Sequence, residues 1–207
     1  MTDQQKETIR FYTTNDYLLI NGLLWKEDRD ILVDKIKFIN EDGRGVMQEA
    51  LEQGFDKRWE WSLEEGERIY KMFERRFPVI DNDFIIQQII ERAKQDIDVL
   101  YSCLKPSEED LVLYRNTRTK YIDGYKDGDI VNYLGFSSCS LHEHKAENAT
   151  YGSGDTTVVI EVPKGTPLIR LDQTDIANEP DEVILPPIAF GVTIAPNGSI
   201  RLKVIGQ

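Results

Sequence analysis

Residues 156–162 read Thr-Thr-Val-Val-Ile-Glu-Val, a run of β-branched side chains that predicts a strand. The next four residues, Pro-Lys-Gly-Thr, are typical of a turn. Similar short apolar runs recur from Pro106 to the end of the chain, and Asn197-Gly198 predicts a hairpin turn between two of them. We predict further strands at residues 111–114, 167–171, 182–185, 188–194 and 200–205.

Before Pro106 the apolar residues recur at helical spacing instead. The pattern predicts three helices, around residues 31–39, 63–73 and 84–100, with Asp81 or Asp83 as the N-cap of the third. Helices first and strands second are typical of an α+β fold with a mainly antiparallel sheet. We predict a single domain over residues 1–207, with a helical part at 1–105 and a β-rich part at 106–207.

Composition limits the partners of this chain. Lys plus Arg total 25 against 37 Asp plus Glu, which gives a formal net charge of −12. We therefore expect no nucleic-acid binding, since that needs clustered positive charge, whereas one or two arginines can still bind a diphosphate. Cys103 and Cys139 are too few for a disulfide framework or a zinc site, so we expect buried reduced thiols and no bound metal.

The sequence contains no recognisable targeting signal. Its first ten residues are polar and lack the apolar core of a signal peptide, and no stretch approaches the roughly 20 apolar residues of a membrane span. We expect a soluble protein that does not act at a membrane. It is either cytoplasmic or delivered by a route that leaves no signal in the sequence.

Arg115 directly follows the apolar run Leu-Val-Leu-Tyr at residues 111–114. An arginine in that place can point into a cleft and bind phosphate or ribose through its planar set of donors. The alternative is an ordinary surface charge at the end of a strand.

The segment at residues 135–141, Gly-Phe-Ser-Ser-Cys-Ser-Leu, places small hydroxyl side chains along a predicted strand. Small side chains let a ligand approach the backbone, and Ser138 or Ser140 can orient a neighbouring carboxylate. The alternative is a polar strand edge.

Glu182 opens an apolar strand after a polar loop. A carboxylate at the base of a buried strand is costly unless it is bound or used. The alternative is a glutamate that only accepts hydrogen bonds from the backbone.

The order of these three features resembles the bacterial mono-ADP-ribosyltransferase exoenzymes of the arginine–serine–glutamate class. The resemblance rests on Tyr-Arg at 114–115, Gly-Asp at 128–129, the serine segment at 135–141, Val-Pro-Lys-Gly-Thr at 162–166 and Glu-Val-Ile-Leu-Pro at 182–186. Near the N-terminus, Tyr12-Thr13, Tyr17 and Ile20-Asn21 resemble a further family segment, although Trp25 stands where the family often has arginine.

The resemblance implies a helical segment packed on a mainly antiparallel β-sandwich of ADP-ribosyltransferase type, with NAD as co-substrate. It implies catalytic roles for Arg115, Ser138 and Glu182. It also implies NAD contacts from Arg115, Asn116, Ser138, Ser140 and Asn21, and stacking of Tyr151 on nicotinamide. The reaction would break the nicotinamide–ribose bond and transfer ADP-ribose to a protein acceptor.

One departure from the family concerns the acceptor. The family usually has Glu or Gln two residues before the catalytic glutamate, and this chain has Pro180 there. Glu179 and Asp181, on either side of Pro180, are the candidates to present the acceptor in its place. Two alternatives stay open: an NAD glycohydrolase on the same fold, and a catalytically silent module of this fold that binds a partner.

Overall fold

The computed structural model describes residues 1–53, 63–147, 154–174 and 181–205. The chain divides into two compact units, one formed by residues 14–97 and the other by residues 1–13 together with 98–207. The sequence predicts the change from helical to β structure at residue 106. The observed units divide the chain differently, because residues 1–13 and the end of the last long helix, from residue 98, belong to the same unit as the strands.

Six α-helices lie in the described residues: α1 (Asp3–Phe11), α2 (Tyr17–Leu24), α3 (Arg29–Gln53), α4 (Leu63–Arg76), α5 (Asp83–Cys103) and α6 (Glu143–Glu147). The three predicted helices correspond to α3, α4 and α5. No helix among the described residues is both long enough and apolar enough to cross a lipid bilayer.

The helices differ from the sequence prediction in their bounds and number: α3 continues to Gln53, well beyond residue 39, and α2 was not predicted. Asn82 caps α5, because its side-chain oxygen accepts from the backbone N–H groups of Phe84 at 2.9 Å and Ile85 at 3.1 Å. The prediction of Asp81 or Asp83 as the cap was therefore wrong. Helix α1 was not predicted, although Thr2 and Gln5 form a reciprocal capping box at its start, which is a signal readable from sequence.

Nine strands follow the long helices: β1 (Lys105–Pro106), β2 (Leu111–Thr117), β3 (Ile130–Tyr133), β4 (Ser137–Ser140), β5 (Thr156–Val162), β6 (Pro167–Arg170), β7 (Glu182–Leu185), β8 (Ile188–Ile194) and β9 (Ile200–Val204). They pair in the order β1-β6-β7-β4-β2-β5-β9-β8-β3. Every pairing is antiparallel except β5 with β9. This confirms the predicted α+β fold with a mainly antiparallel sheet.

A single residue pair, Tyr114 with Ser140, joins the two halves of the sheet. One half contains β1, β6, β7 and β4, and the other contains β2, β5, β9, β8 and β3. Buried side chains from both halves, including Val183 of β7 and Phe190 of β8, form one hydrophobic cluster. The sheet therefore folds over a shared core at the place where its halves are joined most weakly.

The helical unit contains a buried ion cluster. Arg76 at the end of α4 donates from Nε to Asp16 at 2.6 Å and from Nη2 to Asp96 at 2.6 Å. All three side chains are at least nine-tenths buried. Removing one partner from such a cluster leaves the other charges desolvated and unpaired, which destabilises a protein strongly.

Arg76→Met should therefore lower the free energy of unfolding by about 3–5 kcal/mol, because Asp16 and Asp96 would lose their shared cation. Urea unfolding followed by circular dichroism measures this. Arg75→Met on the same helix is the matched control, since Arg75 is exposed, and its effect should stay within about 0.5 kcal/mol. Equal urea midpoints for the two variants would contradict a stabilising role for the cluster.

Candidate active site

Three adjacent strands bring the predicted site residues together. Arg115 lies on β2, Ser138 and Ser140 lie on β4, and Glu182 is the first residue of β7, in the strand order β7-β4-β2. Ser140 pairs directly with Glu182 across β4 and β7. These residues, separated by up to 67 positions in sequence, therefore lie on three neighbouring strands.

The two faces of β4 have different environments. Side chains alternate along a strand, so Ser138 and Ser140 share one face with Glu182, and Cys139 points the other way. Cys139 is buried in the hydrophobic cluster. The residue between the two serines is thus a core position, as expected from the alternation. Ser140 is the direct neighbour of Glu182, whereas Ser138 lies opposite Ile184.

Strands β2 and β4 separate immediately after their single pair. Continuing the antiparallel register by two residues would place Asn116 opposite Ser138, but pairing stops at Tyr114 and Ser140. The Ser138 carbonyl instead accepts a hydrogen bond from Arg115 Nη1 at 2.9 Å. The guanidinium therefore substitutes for a backbone donor at the point where the sheet opens.

Arg115 is half-buried, and its described partners are uncharged. Besides the Ser138 carbonyl, Nη2 donates to the hydroxyl of Tyr133 at 3.2 Å, and the guanidinium carbon lies 5.4 Å from the centre of the Tyr133 ring. Burial acts to lower the pKa of Arg115, but Tyr133, Cys139 and Tyr12 act to raise it, and the net pKa shift is upward. Within the described residues, no carboxylate accepts a hydrogen bond from Arg115.

Tyr133 was not among the residues singled out from sequence. It is the last residue of β3, which is an edge strand of the sheet, and its ring packs against the core. A buried tyrosine usually has a hydrogen-bond partner for its hydroxyl, so a tyrosine on a predicted strand could have indicated a polar contact. The identity of that partner depends on how the sheet folds over, and sequence alone does not give it.

Phe136 anchors the short connection between β3 and β4. It is fully buried, with ring centroids 5.9 Å from Tyr12 and 5.1 Å from Tyr101. Only residues 134–136 link Tyr133 to the serine strand. The buried ring therefore fixes Tyr133 and Ser138 relative to each other.

Asp181 precedes Glu182 and is held by α6. Its carboxylate accepts a hydrogen bond from Lys145, and Nε2 of His142 lies 3.4 Å from its other oxygen. The hydrogen bond from Lys145 lowers the pKa of Asp181. His142 and His144 are exposed. Glu179 and Pro180, the other two acceptor candidates, lie outside the described residues.

The remaining predicted contacts are dispersed. Asn116 sits beside Arg115 on β2, and Gly154 packs on its amide so closely that an added Cβ would lie 1.7 Å from Oδ1. Asn21 is buried on α2, in the other unit. Tyr151 lies outside the described residues. In the described part of the chain, His, Cys, Asp and Glu form no group of three or more that could hold a metal ion.

Neither a protein-family model nor a curated protein matches this sequence. Solved structures do match. The ADP-ribosyltransferase Vis, a toxin from Vibrio splendidus crystallised with the inhibitor M6, is 15% identical, with 99% of this chain and 72% of that chain covered and a TM-score of 0.51. The catalytic domain of VahC from Aeromonas hydrophila is 16% identical, with 99% of this chain and 100% of that chain covered and a TM-score of 0.50. At this identity the likeness establishes the fold, and it confirms the ADP-ribosyltransferase fold that the motifs predicted.

Cys139 lies beside the candidate site but has the properties of a core thiol. Burial raises its pKa to about 11, with Arg115 opposing the rise and Glu182 adding to it. At pH 7 only about one thiol in ten thousand would be ionised, and the thiolate is the reactive form. Cys103 is also buried, and burial raises its pKa.

Both thiols should therefore resist alkylation in the folded protein and react fully in denaturant. Mass spectrometry after a short iodoacetamide pulse at pH 7 measures this, with Cys103→Ala and Cys139→Ala assigning each site. Rapid alkylation of Cys139 in the folded protein at neutral pH would contradict its assignment as a buried, inert thiol.

Proposed function

We propose that this chain is a mono-ADP-ribosyltransferase that cleaves NAD at the nicotinamide–ribose bond and transfers ADP-ribose to a protein acceptor. One observation carries the proposal. Arg115 supplies a positive charge, with no carboxylate hydrogen-bonded to it among the described residues, where β2 and β4 separate. Glu182 begins β7, on the other side of β4, so one strand separates the cation that would bind phosphate from the carboxylate that would stabilise the developing sugar cation.

The surroundings of Arg115 fit a diphosphate. A guanidinium that already has a carboxylate partner binds a further anion weakly, whereas one held by a carbonyl and a phenol keeps its full charge. In this proposal, its other N–H groups donate to phosphate oxygens. This supports NAD as co-substrate, with Arg115 on its phosphate and ribose side.

The other NAD contacts are part of the same proposal. Ser138 and Ser140 share the face of Glu182, so their hydroxyls can orient its carboxylate or a ribose hydroxyl. Asn116 would bind the nicotinamide amide through its backbone. Tyr151 would stack on nicotinamide, and Asn21 would contact the nucleotide.

Glu182 would act by its charge. Nicotinamide leaves as a neutral molecule, so no acid is needed, and positive charge develops on the ribose as the bond breaks. A carboxylate about 4 Å away attracts that charge by about 4 kcal/mol at an effective dielectric near 20, equivalent to roughly a thousandfold in rate. The acceptor supplies the nucleophile, so the chain itself needs none.

A second function, NAD hydrolysis with water as acceptor, is favoured by one observation. Asp181, the described acceptor candidate, is already engaged by Lys145 and His142. Acceptor presentation would then fall to Glu179, because Pro180 has no polar side chain. If Glu179 does not present an acceptor, water would take its place.

Glu182→Gln should reduce nicotinamide release from NAD by at least about a hundredfold while leaving NAD affinity within about threefold, because the charge acts mainly in the transition state. Glu161→Gln on β5 is the matched control, since that strand glutamate is half-buried and pairs with Arg201 rather than with any site residue, so the variant should keep full activity. A Glu182→Gln protein that retains more than about a tenth of the rate would remove this residue from the proposed mechanism.

Transfer and hydrolysis can be separated with NAD labelled in its adenylate half. Incubation with a cell lysate should place the label on protein, and Glu182→Gln should abolish it. Nicotinamide release with free labelled ADP-ribose and no labelled protein would favour the glycohydrolase. Absence of both reactions, together with no NAD binding, would favour a silent module.

A further inference from the structure

We propose that Tyr133 is a positioning residue that holds Arg115 for anion binding without neutralising its charge. The inference rests on the proposed function, in which Arg115 binds the phosphates of NAD. Tyr133 contacts Arg115 both through its hydroxyl and through its ring. The thiol of Cys139 also lies close enough to interact with this guanidinium, but the contact of Tyr133 combines a hydrogen bond with a ring face.

The chemistry of the partner matters. A long arginine side chain loses considerable conformational freedom when it is fixed, so a binding site needs a group that fixes it beforehand. A carboxylate would do so but would also cancel the charge that attracts phosphate. A phenol accepts a hydrogen bond and presents a ring face to the cation while carrying no charge, so the arginine stays fixed and cationic.

The fold gives Tyr133 a fixed place from which to act. In the strand order, β3 lies four strands from β2, so the two side chains meet only because the sheet folds over its core. The β3 backbone pairs with β8, with Tyr133 opposite Ile188. Buried Phe136, three residues further on, anchors the other side. Tyr133 is thus held on both sides along the chain, by its pairing with β8 and by the buried Phe136.

A positioning role predicts a specific kinetic pattern. The contact of Arg115 with phosphate should be equal in the ground state and the transition state, since phosphate is remote from the bond that breaks. Loss of Tyr133 should therefore raise KM and the dissociation constant of NAD and leave kcat nearly unchanged. A residue that merely supported the fold would not separate KM from kcat in this way.

The test compares Tyr133→Phe, which keeps the ring, with Tyr133→Leu, which removes it. We expect KM for NAD to rise about tenfold for Tyr133→Phe and about thirtyfold for Tyr133→Leu, with kcat within about twofold. Tyr121→Phe is the control, because this exposed tyrosine contacts Lys120 through its ring and has no described contact with Arg115, and its KM should not change. Circular dichroism and urea unfolding verify that each variant is folded.

A double-mutant cycle then shows whether Tyr133 acts through Arg115. In the Arg115→Lys background, Tyr133→Phe should change the affinity for NAD by less than about twofold, because the group that Tyr133 positions is gone. If Tyr133→Phe weakened NAD binding tenfold in both the wild-type and the Arg115→Lys backgrounds, the proposal would be overturned. An unchanged KM for Tyr133→Phe would also overturn it.

Inorganic pyrophosphate separates this inference from the proposed function, because it probes the anion site without NAD chemistry. Pyrophosphate binding that weakens in Tyr133→Phe, in a protein that does not cleave NAD, would support the inference and reject the function. NAD cleavage with an unchanged KM in Tyr133→Phe would support the function and reject the inference. A wild-type protein that binds neither NAD nor pyrophosphate would overturn both.

Discussion

The hydrogen bond from Arg115 to the Ser138 carbonyl forms where backbone pairing between β2 and β4 ends. One residue pair joins the two halves of the sheet, and the guanidinium replaces the donor that the next pair would have supplied. The arrangement satisfies a carbonyl and leaves the strands apart. It also places an arginine that keeps its charge beside β4, the strand of the serines, which pairs in turn with β7, the strand of Glu182. The candidate site thus lies where the sheet is interrupted, between the half that contains β4 and β7 and the half that contains β2 and β5.

The helical unit shows another way to bury an arginine. Arg76 is enclosed by two carboxylates, Asp16 and Asp96, and its charge is compensated within the protein. Arg115 is held only by neutral groups among the described residues. The difference in partners separates a structural arginine from one suited to bind an anion, and burial alone does not distinguish them.

Strand positions were predictable because alternation and β-branching are local properties, and β5, β7 and β8 match their predicted bounds. The motifs also predicted Arg115, Ser138 and Glu182 as a group, and the structure places them on neighbouring strands. Tyr133 was missed because its contact with Arg115 depends on the folding of the whole sheet. The cap of α5 was misassigned because three consecutive residues, Asp81, Asn82 and Asp83, can all cap a helix, and only side-chain geometry decides among them. The roles of Glu179, Pro180 and Tyr151 stay predictions from sequence.

Calorimetric titration of NAD into the wild-type protein and into Arg115→Lys tests the central claim most directly. Arg201→Lys, a change of an exposed strand arginine, is the matched control. The account predicts that NAD binds the wild type and the control equally and binds Arg115→Lys at least about tenfold more weakly, since a point charge cannot replace the planar donors. Equal affinity of all three proteins for NAD would show that Arg115 does not bind the dinucleotide and would contradict the account.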